Sequence, residues 1–235
     1  LNLLFLMLLT SCDGEGTQEK DLEKEVDTVS GMILYDIEYP VLFGGEDDNL
    51  IRMFLPKNME FSYKGDLFKT EIKNGKIFGT SFIGNSANEE MMAGTNFFDA
   101  KNNCNFTKDD KVVYINSQPE YKIELTDKKK EIAGYESKHA FAINKESSDT
   151  IQLYYSNEFG IKSPNWFTPF HEIDGVLLEY EIERYGLKMR FTASKFMDLD
   201  STCKFKYPAD FKELSFKKYN GYQRKRKICL ENSFC

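Results

Sequence analysis

The chain has 235 residues, 41% hydrophobic, 14% aromatic and 29% charged, with a net charge of −7. That length suits one domain with a substantial core, and 20 Phe and 13 Tyr against 6 Pro favour strands, where aromatic side chains pack well on a pleated surface. Because Lys217, Lys218, Arg224, Lys225, Arg226 and Lys227 lie in the tail, residues 1–216 carry about −12, an acidic body that argues against nucleic acid as a partner.

Leu3, Leu4, Phe5, Leu6, Met7, Leu8 and Leu9 form an uncharged apolar run closed by Leu9-Thr10-Ser11-Cys12. Crossing a bilayer takes about 20 apolar residues. This run is far shorter, and the polar stretch Asp13–Asp21 follows at once. Small residues before a cysteine, ending a short apolar stretch, resemble the lipobox of bacterial lipoproteins. The resemblance implies a signal peptide at 1–11, cleavage before Cys12, and diacylglycerol on the Cys12 sulfur. The chain starts at Leu1 with neither Met nor a basic segment, so the signal is expected to have a truncated start. Acylation anchors because each methylene buried in the membrane contributes about 0.8 kcal/mol. Residues 12–29, the lipidated cysteine and a stretch rich in Glu, Asp and Lys, read as a flexible tether.

Beyond the tether, a two-residue period sets in. Ile33, Tyr35, Ile37 and Tyr39 alternate with Asp36 and Glu38, and Met59, Phe61 and Tyr63 alternate with Asn58, Glu60 and Ser62. The same period recurs at Tyr121, Ile123 and Leu125, at Ile151, Leu153 and Tyr155, at Leu178, Tyr180 and Ile182, and at Leu187, Met189 and Phe191. Each run predicts a strand with one buried and one wet face. Lys64-Gly65-Asp66, Lys73-Asn74-Gly75-Lys76 and Arg184-Tyr185-Gly186 read as hairpin turns. Asp48–Phe54 reads as a short helix with Leu50, Ile51, Phe54 and Leu55 on one side, and Pro208 followed by Ala209–Leu214 as a second. The expectation is a mainly β protein: a curled antiparallel sheet, or incomplete β-barrel, of about 9–11 strands in one domain over 30–219. A basic tail at 220–235, solvated and frayed, completes the chain. Two or three short helices cannot cover so wide a sheet, which predicts an apolar groove on its inner face.

Few residues suggest chemistry. Besides Cys12, the cysteines are Cys104, Cys203, Cys229 and Cys235; disulfides are permitted in a chain that leaves the cytoplasm, and Cys229 and Cys235 are close enough in sequence to pair. None falls in a C-x-x-C arrangement, which argues against zinc and thioredoxin-like sites. His139 shares an alternating face with Phe141 and Ile143 and reads as a hydrogen-bonded core or rim histidine. His171, Glu172 and Asp174 gather possible metal ligands, but in a turn-like segment and without the paired histidines of a zinc protease. Glu179, Glu181 and Glu183 form the polar side of a strand. Gly44-Gly45 is followed by Glu46-Asp47-Asp48, whose charge repels phosphate, and Asp47-Asp48-Asn49 suits helix capping better than calcium. No catalytic residue, metal or cofactor is expected. The apolar surplus is more informative. Met91 and Met92 lie near Phe97 and Phe98, and Trp166, Phe167 and Phe170 cluster in a Pro-bounded loop. Such a loop edges a groove, so Trp166, Phe167 and Phe170 are the expected rim contacts for a ligand.

Several short pieces keep a characteristic order and spacing: Gly31-Met32-Ile33-Leu34-Tyr35, Leu55-Pro56-Lys57-Asn58-Met59, Lys130–Tyr135 continuing to Lys138 and Ala140, Tyr154-Tyr155-Ser156, Pro169-Phe170, Asp174–Tyr180 and Met189–Ala193. Together, over roughly residues 31–216, they resemble uncharacterised Bacteroidetes envelope proteins related to the GLPGLI group. The domains of that group resemble the lipoprotein carriers LolA and LolB. The resemblance implies an incomplete barrel around short helices, an apolar concavity that holds acyl chains in the carriers, and no catalytic residues. Many such relatives carry a cysteine where Ser137 stands, so a bridge from that position is lost here. It also implies an outer-membrane address through Cys12, facing either the periplasm or the outside. The expected function is a lipid-anchored envelope protein that binds a lipid or acyl chain without catalysis. The alternative is a module that docks another envelope protein.

Overall fold

The alternating runs form strands. A computed structural model describes residues 29–40, 52–53, 55–75, 78–97, 100–184 and 187–231. The signal, Cys12, most of the tether, Phe98, Tyr185, Gly186, Cys235 and the helix expected at Asp48–Phe54 (apart from helical Arg52 and Met53) lie outside the described residues. In chain order the elements are β1 (Ser30–Glu38), β2 (Asn58–Lys64), β3 (Leu67–Asn74), β4 (Phe78–Asn85), β5 (Glu90–Phe97), β6 (Ala100–Asn105), α1 (Lys108–Asn116), β7 (Tyr121–Ile132), β8 (Tyr135–Asn144), β9 (Thr150–Ser156), β10 (Val176–Arg184), β11 (Leu187–Met197), β12 (Lys212–Glu213) and α2 (Phe216–Glu231).

All twelve strands belong to one sheet in the order β12-β6-β5-β4-β3-β2-β1-β11-β10-β9-β8-β7. Two antiparallel meanders, β2 to β6 and β7 to β11, flank the central β1. β12 adds a parallel two-residue edge beside β6. The sheet is curled and not closed. In a flat sheet β8 would lie three strand spacings from β11, about 14 Å. Yet the rings of Tyr135 on β8 and Phe196 on β11 are centred 4.1 Å apart, a contact that curvature makes possible. Ile33, Tyr35, Met59, Phe61, Phe68, Phe82, Leu178 and Phe191 are buried in one core that draws on both meanders.

Three stretches depart from the sequence reading. The helix expected over Ala209–Leu214 is absent; Lys212 and Glu213 instead pair with Asn102 and Asn103, and the Leu214 amide donates to the Asn103 carbonyl at 2.8 Å. Backbone partners on the open edge of β6 outweigh the weak helical signal. The tail expected to fray at 220–235 is helical through Glu231, because Phe216 packs edge-on to Phe106 at 4.9 Å and Tyr219 is buried. Finally, α1 has no buried residue and no apolar period to announce it. Its signal is a capping box: Thr107 Oγ1 accepts from the Asp110 amide, and the Asp110 carboxylate accepts from the Thr107 amide.

The β7–β8 turn stores strain. Ala133 and Gly134 both have positive φ, at 48° and 91°, the two-residue geometry that favours Asn-Gly. An alanine there has a Cβ close to its carbonyl, at a cost of roughly 1–2 kcal/mol. Ala133→Asn should therefore raise stability by about 0.5–1 kcal/mol, measured by urea denaturation; an unchanged or lower midpoint would refute the strain.

Candidate functional site

Among the described residues, a loop fills much of the interior. Residues 157–175 join β9 to β10 without a helix or strand, a length at which loops are usually functional. Three aromatics fasten it to both meanders. Phe159 meets Tyr63 at 6.2 Å, Tyr135 at 4.9 Å and Phe196 at 5.1 Å. Phe167 stacks on Phe68 at 5.2 Å and reaches Phe82 at 5.8 Å. Phe170 meets Tyr121 at 5.4 Å and Tyr180 at 6.4 Å.

A loop this deep must satisfy its own backbone groups. Buried Asn165 does much of this: its Nδ2 donates to the carbonyls of Ile173 at 2.9 Å and Gly175 at 2.7 Å. Gln118 Nε2, just beyond α1, donates to the Phe167 carbonyl at 2.9 Å. Gly175 closes the loop at φ 153°, where an added Cβ would stand 2.8 Å from the Ser156 carbonyl, so glycine alone fits.

Between this loop and the sheet lies a cavity of about 370 Å³. Tyr35, Met59, Phe61, Ile72 and Phe82 wall it from β1 to β4, and Tyr180, Ile182 and Phe191 from β10 and β11. Pro164, Phe167, Pro169 and Phe170 close the loop side. Ser117, Pro119 and Glu183 are lining residues that are also exposed, and they mark the mouth. The polar atoms inside are largely committed. Tyr35 Oη donates to the Leu177 carbonyl at 2.7 Å, and Tyr180 Oη lies 3.9 Å from the Met59 sulfur. Burial pushes both phenols up, so they stay neutral.

The three aromatics expected at a rim sit deeper. Phe167 and Phe170 line the cavity wall at 8% and 1% exposure. Trp166 does not line it; its ring packs edge-on to Phe167 at 5.6 Å, with Lys111 Nζ 5.3 Å from its centre. The loop anchors were legible as an apolar cluster. Tyr35, Met59 and Tyr180 were legible as buried strand positions, but their convergence on one cavity comes from the curl. Met91 is buried in the same core.

The remaining candidates are dispersed. His171, Glu172 and Asp174 are exposed, and among the described residues no group of His, Cys, Asp or Glu is placed to hold a metal ion. Cys104 and Cys203 are free thiols, and burial pushes Cys104 up to about 11. The side chains of Cys229 and Cys235 lie outside the described residues. Ser137 is buried and donates to the Tyr135 carbonyl at 3.3 Å. Glu179 pairs with Lys130 at 2.8 Å, and Glu181 with Lys188 at 2.9 Å and Arg190 at 2.6 Å. Among the described residues, no helix is long and apolar enough to cross a membrane.

No protein-family model matches this chain, and no curated protein sequence does. Its fold is similar to two solved structures of PNGF-II, from different crystal forms. The first shares 16% identity over 83% of this chain and the second 13% over 84%, each with a TM-score of 0.51. This chain spans 33% of the PNGF-II chain's length. At such identity the likeness concerns the fold alone.

His139 is fully buried on β8, with Nδ1 2.8 Å from Thr126 Oγ1 and Nε2 3.3 Å from Gln152 Oε1. Burial chiefly, with Lys128 and Lys130 adding to it, lowers its pKa. The unfolded chain therefore takes up this proton at higher pH than the folded chain. The stability conferred is complete above about pH 6.5 and declines as pH falls below it toward the lowered value. The melting temperature should drop between pH 6.5 and 5, and His139→Gln should flatten that slope. An equal slope in the variant would assign the effect elsewhere.

Proposed function

We infer that this protein binds a hydrophobic ligand, a lipid or an acyl chain, in the cavity between its curled sheet and the 157–175 loop. One observation carries the reading: a mainly aromatic and aliphatic cavity with an exposed mouth. Its volume lies at the low end of the ~300–1,000 Å³ usual for ligand sites. Removing acyl methylenes from water supplies the driving force, and Phe167 and Phe170 supply wall contacts. Binding without catalysis is supported by the commitment of the inner polar groups. Both ring nitrogens of His139 are engaged, and the Tyr35 and Tyr180 phenols are neutral.

The anchor and address belong to the same proposal. The apolar run ending at Leu9-Thr10-Ser11-Cys12 supports lipidation of Cys12. The resemblance to GLPGLI-related and LolA-like proteins supports the outer membrane. The alternative, docking of another envelope protein, is favoured by exposed Val112 and Val113 on α1 and Leu125 on β7, at 56%, 56% and 66% exposure.

Native mass spectrometry of the chain carrying Cys12→Ala tests the binding role: an extra mass lost on organic extraction and fragmenting as lipid is expected. Thr70 lines the cavity and is only half-buried, so Thr70→Phe should fill it and weaken acyl binding about tenfold, near 1.4 kcal/mol, without lowering the melting temperature. A clean apo mass with no uptake of added fatty acid or phospholipid would favour docking instead. Cell fractionation tests the anchor, since Cys12→Ala should release the protein from membranes. A variant that stays fully membrane-bound would overturn lipidation.

A further inference from the structure

The size and the mouth of the cavity narrow the ligand, given the binding role inferred above. A methylene takes up about as much room as a water molecule's share of the liquid, ~30 Å³. The cavity's 370 Å³ therefore holds roughly twelve methylenes. A lipid with two sixteen-carbon chains would need ~960 Å³ on the same measure, far more than is present.

The mouth carries a charge of one sign. Glu183 is the one charged residue lining the cavity among the described residues, and it takes part in none of the ion pairs among them. Its cross-strand neighbour Lys188 is held by Glu181 at 2.9 Å. Nearby Lys145 is held by Glu120 at 3.1 Å. The carboxylates of Glu183 and Asp149 both act on the phenol of Tyr121, which lines the cavity just inside, and Lys188 opposes them less strongly. A head group emerging past Ser117, Pro119 and Glu183 thus meets the Glu183 carboxylate, which no cation pairs with among the described residues.

We propose that the cavity receives the single tail, roughly a dozen carbons long, of an amphiphile whose head group bears no negative charge. Titration calorimetry on the full chain tests this with dodecyltrimethylammonium, dodecanol and dodecanoate, each below its aggregation concentration and at low ionic strength. The cation and the alcohol should bind about two- to fivefold tighter than the carboxylate, the range for exposed charge pairs. The gap should close near 1 M salt, where screening acts within ~3 Å, and Glu183→Gln should narrow it by strengthening dodecanoate. Across alkyltrimethylammonium ions of eight to twelve carbons, affinity should rise about fourfold per methylene, with no gain at sixteen. Dodecanoate binding as tightly as the other two would overturn the head-group assignment. A continued gain to sixteen carbons would overturn the length limit. If none of the three binds, the binding role itself fails, a result distinct from either.

Discussion

The pairing of β1 with β11 holds the two halves of the molecule together. Seven residue pairs, from Met32 opposite Met197 to Glu38 opposite Arg190, join strands more than 150 residues apart in sequence. Without them, β2 to β6 and β7 to β11 are separate meanders, each with one apolar face and nothing to bury it. The cavity depends on the same seam. Met59, Phe61, Ile72 and Phe82 come from one meander, Tyr180 and Ile182 from the other, and Tyr35 and Phe191 from the seam itself. A register irregularity between Leu34 and Tyr35 adds local twist where the walls must turn toward each other.

Curling creates a second requirement, because a wide concave face needs cover. A helix would satisfy its own backbone groups but present one straight apolar stripe to a curved surface. The 157–175 loop follows the curve, placing Phe159, Phe167 and Phe170 against different strands. Burying irregular backbone calls for other partners, and Asn165, Gln118 and Gly175 meet that need at named positions. The space left between loop and sheet is mainly apolar, and Tyr35, Asn165, Gln118 and Thr168 near it already have partners.

An open sheet also leaves two edges that could pair with another chain. At one end β7 carries Lys122, Lys128, Lys129 and Lys130 and an irregular register between Leu125 and Lys129. At the other, β12 is two residues long and is followed directly by α2. Charge, a bulge and brevity discourage edge-to-edge association.

Local pattern determined a good deal. Alternation at Ile33–Tyr39, Met59–Tyr63 and Leu178–Ile182 specified strands and their buried faces, because side chains on a strand point to opposite sides in turn. Gly65 and Gly75 specified turns, because their positive φ suits glycine. The aromatic cluster at 166–170 announced an apolar loop. What pattern could not supply was partnership across distance. That Lys212 and Glu213 join a sheet edge, that residues 216–231 form a docked helix, and that Phe167 and Phe170 line a cavity wall while Trp166 does not, all depend on groups far away in sequence. Sequence alone therefore determined the mainly β character, the strand faces and the apolar loop, each a matter of neighbouring residues. The curl and an apolar groove followed from the number of strands against so few helices, but the tertiary structure alone decided the strand order and which residues line the cavity, because strand pairing and ring contacts join residues whose separation leaves no local trace.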